Sequence, residues 1–244
     1  MKITRRGFAK LCVSAVPLWG KVSAVIANEQ TVARRYQRVK LVNGRDQSIH
    51  SSDLTVGETY IFHYPYITTP CFILNLGQRT ARDVELSRED GVRYHWPGGV
   101  GPKGSVVAYS AICAHMMTHP ARTVSFINYR HEPVTFKDTQ EERVRRSNVI
   151  YCCSEKSVYD AAQGAHVLGG PAPQPLAVIV LEHNDEDDTY FATGTEGGEM
   201  FGRFFKEFDH RLTLEHQTKD VRRETTDRVV VLTLNEYCKN QVRC

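Results

Sequence analysis

The sequence predicts an all-β fold that ends in a C-terminal extension made of a helix and a strand. From residue 38 onwards, short runs of β-branched and aromatic residues alternate with turns rich in glycine and polar residues, a pattern typical of strands. The segment 96–102 (Trp-Pro-Gly-Gly-Val-Gly-Pro) can form neither a helix nor a central strand. Only one segment, residues 199–216, spaces its apolar residues as a helix does.

Length and composition favour one domain with a peripheral extension. The chain has 244 residues, of which 41% are hydrophobic, enough to bury a core of ordinary size. The net charge of +3 and the lack of any recognisable nucleic-acid-binding motif argue against a partner of that class.

The N-terminus matches a twin-arginine export pattern. Residues 4–10 read Thr-Arg-Arg-Gly-Phe-Ala-Lys, and the mostly apolar segment 11–27 follows, ending in small residues suited to cleavage. We therefore predict that residues 1–27 are a signal peptide and that the mature protein is soluble and periplasmic. If the segment is not cut, it is a membrane anchor, although Lys21 at bilayer depth costs roughly 3 kcal/mol.

The main domain is predicted to span residues 36–196. Its strand-like runs cover 38–42, 59–63, 71–76, 84–86, 105–112, 124–129, 149–151, 177–181 and 190–193. The run 105–112 has the mostly apolar composition of a buried strand, and Cys113 follows it directly. Residues 133–146 are strongly charged, which predicts a solvated loop or short helix, with a partner-docking surface as the alternative.

The C-terminal extension is predicted to span residues 197–244. Its helix carries an apolar stripe typical of a core or subunit contact, formed by Met200, Phe201, Phe204, Phe205, Phe208, Leu212 and Leu214. A β-branched run at 228–234 predicts a final strand. Cys238 and Cys244 close the chain, either as a disulfide in an oxidising compartment or as two free thiols.

Three short motifs indicate a metal centre. They are Cys113-Ala114-His115, then Cys152-Cys153-Ser154-Glu155-Lys156-Ser157-Val158-Tyr159-Asp160, and then Gly170-Pro171-Ala172-Pro173. Together they resemble the Rieske iron–sulfur proteins, over roughly residues 39–195 and most specifically over 105–176. The resemblance implies an antiparallel β-sandwich with a small cluster-binding subdomain at about residues 105–176, and a [2Fe–2S] cluster as cofactor.

The resemblance also implies roles for individual residues. Cys113, His115 and Cys152 are the implied ligands. Ser157 and Tyr159 are expected to donate hydrogen bonds to a bridging sulfide and to a ligand cysteine sulfur, which raises the reduction potential. The cover that keeps water from the cluster is expected to be formed by Gly170, Pro171, Ala172 and Pro173.

One ligand position departs from the family pattern, because Glu155 stands where the second loop has its histidine. In a first model the Glu155 carboxylate is the fourth ligand and pulls the potential towards the lower part of the range of roughly −150 to +300 mV. In a second model Cys153 or His119 takes that place. In a third the fold is kept and the cluster is lost. Thr118 and Ser154 occupy the positions that are joined by a disulfide in some members of the family.

The expected function is electron transfer by a periplasmic protein, as a subunit or partner of a respiratory oxidoreductase rather than as a stand-alone catalyst. By analogy with the family, the partner is a redox protein such as a molybdopterin enzyme or a quinol-oxidising cytochrome bc complex. The alternative is a structural or interaction subunit of such a complex that keeps the fold without a cluster.

Overall fold

The computed structural model describes residues 33–244, and strands are the main regular secondary structure in this part of the chain. The sixteen strands are β1 (Arg34–Val42), β2 (Tyr60–His63), β3 (Pro70–Asn75), β4 (Val84–Ser87), β5 (Arg93–Trp96), β6 (Val106–Ser110), β7 (Ile127–Arg130), β8 (Val134–Lys137), β9 (Arg143–Arg146), β10 (Val149–Cys152), β11 (Val158–Asp160), β12 (His166–Gly169), β13 (Val178–Asn184), β14 (Thr189–Glu196), β15 (Arg228–Val230) and β16 (Leu232–Thr233). The helices are α1 (Phe201–His216), α2 (Leu234–Tyr237) and a 3₁₀ turn at Ser51–Asp53.

The predicted all-β class and C-terminal helix are confirmed. The predicted signal peptide, residues 1–27, lies outside the described residues. Within residues 33–244, no helix combines the length and the apolar character needed to cross a membrane.

A large sheet of eight strands nearly closes on itself. Its strand order is β15-β1-β14-β13-β6-β3-β2-β16, and all neighbours are antiparallel except β15 and β1. The edge strands β15 and β16 are consecutive in the chain, and Val231 between them donates its N–H to the Val42 carbonyl at 2.7 Å. One C-terminal segment therefore bridges both edges of the sheet.

Both faces of the large sheet carry core residues, because side chains alternate along each strand. Phe62 of β2 and Ile73 of β3 point into a core enclosed by the sheet. Their neighbours Ile61 and Phe72 point into a second core, which the sheet shares with the smaller lobe. This two-sided burial explains why these strands read as nearly continuous apolar runs in the sequence.

The smaller lobe is a four-stranded antiparallel sheet with the order β12-β11-β10-β7. Ile127, Ile150 and Tyr159 of this sheet pack in the same core as Tyr109 of the large sheet. The Tyr109 hydroxyl also donates to the Ala161 carbonyl at 2.9 Å, which fixes the end of β6 relative to the small sheet. This shared core brings the chain segment after β6 next to the hairpin between β10 and β11.

Residues 133–146 form a hairpin of β8 and β9, so the expectation of a loop or short helix there was wrong. Val134 and Phe136 are buried against the small sheet, while Thr135 and Lys137 are exposed. The strand alternation is carried by only two apolar residues, and the surrounding charged residues obscure it in the sequence.

Helix α1 supports the loop that follows β6. Phe201, Phe204, Phe205 and Leu212 are buried in a cluster that also contains Ile112 and Met117 of that loop. The helix ends at His216; Gln217 after it takes the left-handed conformation (φ 49°) and donates its N–H to the Thr213 carbonyl. Most of the apolar stripe of the extension is therefore core, with Phe208 partly buried against it, whereas Leu214 is 66% exposed.

Candidate metal centre

The first loop of the site, residues 113–118, follows β6 and is closed by its own backbone. Cys113 N–H donates to the Thr118 carbonyl at 2.9 Å, and Met117 N–H donates back to the Cys113 carbonyl at 3.0 Å. Met117 takes the left-handed conformation, with φ 58°. His115 at the tip is partly exposed and Met116 is 58% exposed. The loop thus holds Cys113 inside and presents His115 at the surface.

The second loop joins β10 to β11 in a tight hairpin. Cys152 N–H donates to the Ser157 carbonyl at 2.9 Å, and Lys156 turns the chain with φ 63°. Cys153 N–H donates to the Phe126 carbonyl at 2.7 Å, which ties the loop to the residue before β7. The backbone therefore directs the side chains of Cys152 and Glu155 towards the first loop.

The two loops bring three donor groups together. The sulfurs of Cys113 and Cys152 and a carboxylate oxygen of Glu155 all lie within 4.8 Å of one another, and both cysteines are fully buried. The Cys152 thiol donates to Glu155 Oε2 at 3.0 Å. Two sulfurs and a carboxylate form a donor set that could hold a transition metal such as iron or zinc.

Thr118 links the first loop to Glu155 of the second. Its hydroxyl lies 3.1 Å from each carboxylate oxygen of Glu155. The sequence drew attention to Thr118 only as one of two positions that lack a disulfide. This hydrogen bond joins the two loops, and no motif in the sequence indicated it.

His115 and Ser157 each leave a buried polar atom without a partner. His115 Nδ1 and Ser157 Oγ make no hydrogen bond to any of the described residues. His115 does not belong to the group of three donors, but it lies close enough to Glu155 to help lower the pKa of that carboxyl. Buried polar atoms without partners are rare and cost about 1–3 kcal/mol each.

Tyr159 joins the second loop to Cys113. Its hydroxyl lies 3.2 Å from Cys113 Sγ and accepts the Ala114 N–H at 3.1 Å. Tyr159 is fully buried, and burial raises the pKa of the phenol well above its ordinary value. The hydroxyl therefore keeps its proton, which it is able to donate to the Cys113 sulfur.

The two neighbouring cysteines differ in acidity. The nearby Cys152 lowers the pKa of Cys113 to about 7 against the opposing effect of burial, and the hydrogen bond with Tyr159 adds to it. The proximity of Cys113, together with burial, raises the pKa of Cys152. Burial alone raises the pKa of Glu155, but hydrogen bonds from Cys152, Ser154 and Thr118 outweigh it and the net shift is downward.

The predicted cover segment lies directly on the second loop. Gly170 has φ 82°, and a Cβ atom at this position overlaps the Lys156 carbonyl and the Ser157 backbone. Only glycine allows this approach. Pro171 and Pro173 are exposed and Ala172 is partly buried, so the segment forms an outer wall over residues 156–157.

Cys153, the first alternative ligand, is bonded to Cys244, with a Cα–Cα distance of 5.7 Å. The pairing of Cys238 with Cys244 considered from the sequence is therefore not formed, and Cys238 is a buried free thiol. The reason is the path of the tail, which runs beside the small sheet: Val242 N–H donates to the Ser125 carbonyl at 2.8 Å. A sulfur held in this disulfide does not serve as a thiolate ligand.

His119, the other alternative ligand, faces α1 instead of the two cysteines. Its Nδ1 lies 2.9 Å from the Met117 carbonyl, and its ring packs edge-on against Phe204 and Phe208 at centroid distances of 4.8 and 4.9 Å. Burial lowers the pKa of this imidazole. Among residues 33–244, the group of donors around Cys113 does not include His119.

No protein-family model matches the sequence. Among solved structures, the chain is similar to the soluble domain of the Rieske protein II (soxF) from Sulfolobus acidocaldarius. The match has 24% sequence identity and a TM-score of 0.41, and it covers 67% of this chain and 82% of that one.

Proposed function

We propose that this chain holds an iron–sulfur cluster between its two loops and transfers single electrons as an exported protein. The observation that carries the proposal is the meeting of two fully buried cysteines, Cys113 and Cys152, from separate hairpin loops. Tyr159, the second residue of the returning strand β11, places its hydroxyl 3.2 Å from the first of these sulfurs. The motifs that resemble the Rieske proteins thus meet at one place.

Four side chains would hold a cluster of the [2Fe–2S] type. Cys113 and Cys152 would supply thiolates, His115 its unpartnered Nδ1, and Glu155 a carboxylate in place of the second imidazole. The unpartnered Ser157 Oγ fits the same group, because a sulfide would accept its hydrogen bond. Such a group, when bound, supplies one-electron oxidation and reduction.

The chain's own residues would tune and protect the centre. The Tyr159 hydroxyl, placed to donate to Cys113, would favour the more negative, reduced state, as would the unpartnered Ser157 hydroxyl. Glu155, whose pKa is lowered, would add a negative charge and act in the opposite sense. Gly170 and the segment after it cover residues 156–157 on one side, and α1 packs behind the first loop on the other.

The exposed tip formed by His115 and Met116 is the proposed point of electron entry or exit. By analogy with the family, the partner is a redox protein or complex of the periplasm, such as a molybdopterin oxidoreductase or a cytochrome bc complex. The twin-arginine pattern at residues 4–10 is the basis for the periplasmic location.

A second candidate function is that of an interaction subunit without a cluster. The observation that favours it is the hydrogen bonding of Glu155, which already closes the site by contacts with Cys152 and Thr118. In this arrangement the three groups stabilise the two loops and need no metal.

The two candidates are separated by the cysteine variants. Under the first, Cys113→Ser and Cys152→Ser each abolish iron binding by anaerobically purified protein, whereas Cys238→Ser, which changes another buried free thiol, leaves it intact. Equal iron content in all three variants contradicts the proposed ligands. Thermal unfolding of each variant shows whether the fold survives.

Glu155→His tests the fourth ligand. An imidazole in place of the carboxylate removes a negative charge, so the midpoint potential is expected to rise. Glu141→His, on the exposed β8–β9 turn, is the matched control and should leave the potential unchanged. An unchanged potential in Glu155→His contradicts carboxylate ligation.

A further inference from the structure

We propose that the pocket between residues 79–82 and the glycine-rich loop 97–104 binds a tetrahedral oxyanion of the phosphate or sulfate class. The pocket has a volume of about 210 Å³ and is lined by Arg79, Thr80, Arg82, Gly99, Gly101, Pro102 and Gly104. It is separate from the candidate metal centre, and the proposal does not depend on the proposed function.

Hydrogen bonds from backbone N–H groups hold the two walls of the pocket together. Thr80 N–H donates to the Gly104 carbonyl at 3.1 Å, and Gly99 N–H donates to Thr80 Oγ1 at 2.8 Å. Ala81 N–H donates to the Ala162 carbonyl at 3.1 Å, which anchors the arginine-bearing segment to the body of the protein. The pocket is therefore a preformed feature of the fold, which lowers the cost of ordering on binding.

The charge of the pocket is positive and uncompensated. Neither Arg79 nor Arg82 forms an ion pair with any residue of 33–244, and no acidic residue lines the pocket. Asp83, the nearest acid along the chain, lies 3.1 Å from His95 Nδ1. A guanidinium offers paired N–H donors whose spacing matches two oxygens of a phosphate or sulfate.

Thr80 adds a neutral donor. Its side chain is buried, and its oxygen accepts the Gly99 N–H, so the hydroxyl proton has no acceptor among the described residues. A hydroxyl with a free proton beside two arginines is suited to an oxyanion and not to a cation. Arg79 and Arg82 are exposed, as the arginines of β9 are, but they differ from those in lining a pocket together with a buried hydroxyl.

The glycines explain why the arginine stems lie along the loop. A Cβ atom at Gly98 falls 3.2 Å from Arg82 Cγ, and one at Gly104 falls 3.7 Å from Arg79 Cγ. Both glycines also have positive φ values, 109° and 60°. Larger residues at these two positions are therefore strained and, at Gly98, crowd the arginine stem.

Isothermal titration of the signal-free protein in chloride buffer at constant ionic strength tests the proposal. Phosphate and sulfate should each bind at one site with a dissociation constant of about 1 mM or tighter in the presence of the buffer chloride. Glycerol phosphate distinguishes the source of the ligand: binding equal to that of phosphate indicates that a phosphoryl group on a larger molecule is accepted, and loss of binding indicates a free inorganic oxyanion.

The variant Arg79→Gln/Arg82→Gln should weaken phosphate binding about tenfold or more, because two charged donors are lost. The control Arg143→Gln/Arg145→Gln removes the same charge from exposed arginines of β9 and should leave binding unchanged. Thr80→Val should weaken binding and Thr80→Ser should restore it. The proposal is overturned if the wild-type protein binds neither anion, or if the two double arginine variants lose phosphate binding to the same extent. If Thr80→Val does not fold, the arginine variants alone decide.

Discussion

Replacing Tyr159 by phenylalanine removes one hydroxyl from the contact between the two loops. The ring is fully buried, and phenylalanine preserves its packing in the shared core. The hydroxyl contacts Cys113 Sγ at 3.2 Å and accepts the Ala114 N–H at 3.1 Å. Because Ala114 is only 1% exposed, its N–H has no access to water once the hydroxyl is gone. A buried donor without a partner costs about 1–3 kcal/mol, and the free energy of unfolding should fall by that amount.

Urea unfolding at neutral pH measures the change, with Tyr129→Phe as the matched control. Tyr129 is 5% exposed on the same sheet, and its hydroxyl donates to Asn148 Oδ1 at 2.7 Å. Asn148 Oδ1 also lies 2.9 Å from His131 Nδ1, so it keeps a partner in the variant. We expect a loss below about 1 kcal/mol in the control.

The same substitution tests the electron-transfer proposal in iron-loaded protein. Loss of a hydrogen bond worth about 1 kcal/mol to the Cys113 sulfur should lower the midpoint potential by about 40 mV, whereas Tyr129→Phe should not shift it. The reasoning is refuted if Tyr159→Phe unfolds at the wild-type urea concentration and also leaves the potential unchanged.

Three further predictions concern stability away from the two ligands. Cys244→Ser opens a disulfide that spans 91 residues, so the free energy of unfolding should fall by about 2–5 kcal/mol. Dithiothreitol should destabilise the wild type and leave the variant unaffected. Equal sensitivity of the two proteins to dithiothreitol contradicts the pairing of Cys244 with Cys153. Burial, with smaller contributions from neighbouring cationic groups, lowers the pKa of His63 to about 3, below the unfolded value near 6.5. The neutral imidazole is therefore favoured in the folded state, and its contribution to stability is present above pH 6.5 and is lost as the pH falls. Between pH 7 and 5 the free energy of unfolding of the wild type should fall by about 2 kcal/mol more than that of His63→Gln, and parallel pH profiles exclude a role for His63. Gly170→Ala should destabilise the protein by about 2 kcal/mol or more, because position 170 has a positive φ and an added Cβ overlaps the second loop. Gly44→Ala is the control and should have little effect, because position 44 has open space around it. Similar melting temperatures for the two variants contradict the close contact of Gly170 with the second loop.

The sequence predicted most of the strands because strands that are buried on both faces form continuous apolar runs in it. Runs such as 71–76 and 105–112 are apolar on both faces and are bounded by turn residues, and they correspond to β3 and β6. The helix at 199–216 was evident from its aromatic spacing. The β8–β9 hairpin was missed because its two buried residues are surrounded by charges that dominate any reading of composition.

The candidate site was predictable where it depends on spacing within one loop and not where it depends on the path of the chain. The spacings around Cys113 and Cys152 identified the two loops that the structure brings together. The Cys153–Cys244 disulfide depends on how the tail packs beside β7, which no local pattern specifies. The contact of Thr118 with Glu155 likewise requires two distant loops to be placed first.

The most direct test is the iron and acid-labile sulfide content of protein exported with its own N-terminus and purified without oxygen. The account predicts about two irons and two sulfides per chain, and an electron paramagnetic resonance signal that appears on reduction with dithionite. Colourless protein that contains neither iron nor sulfide, and that is folded by circular dichroism, contradicts it.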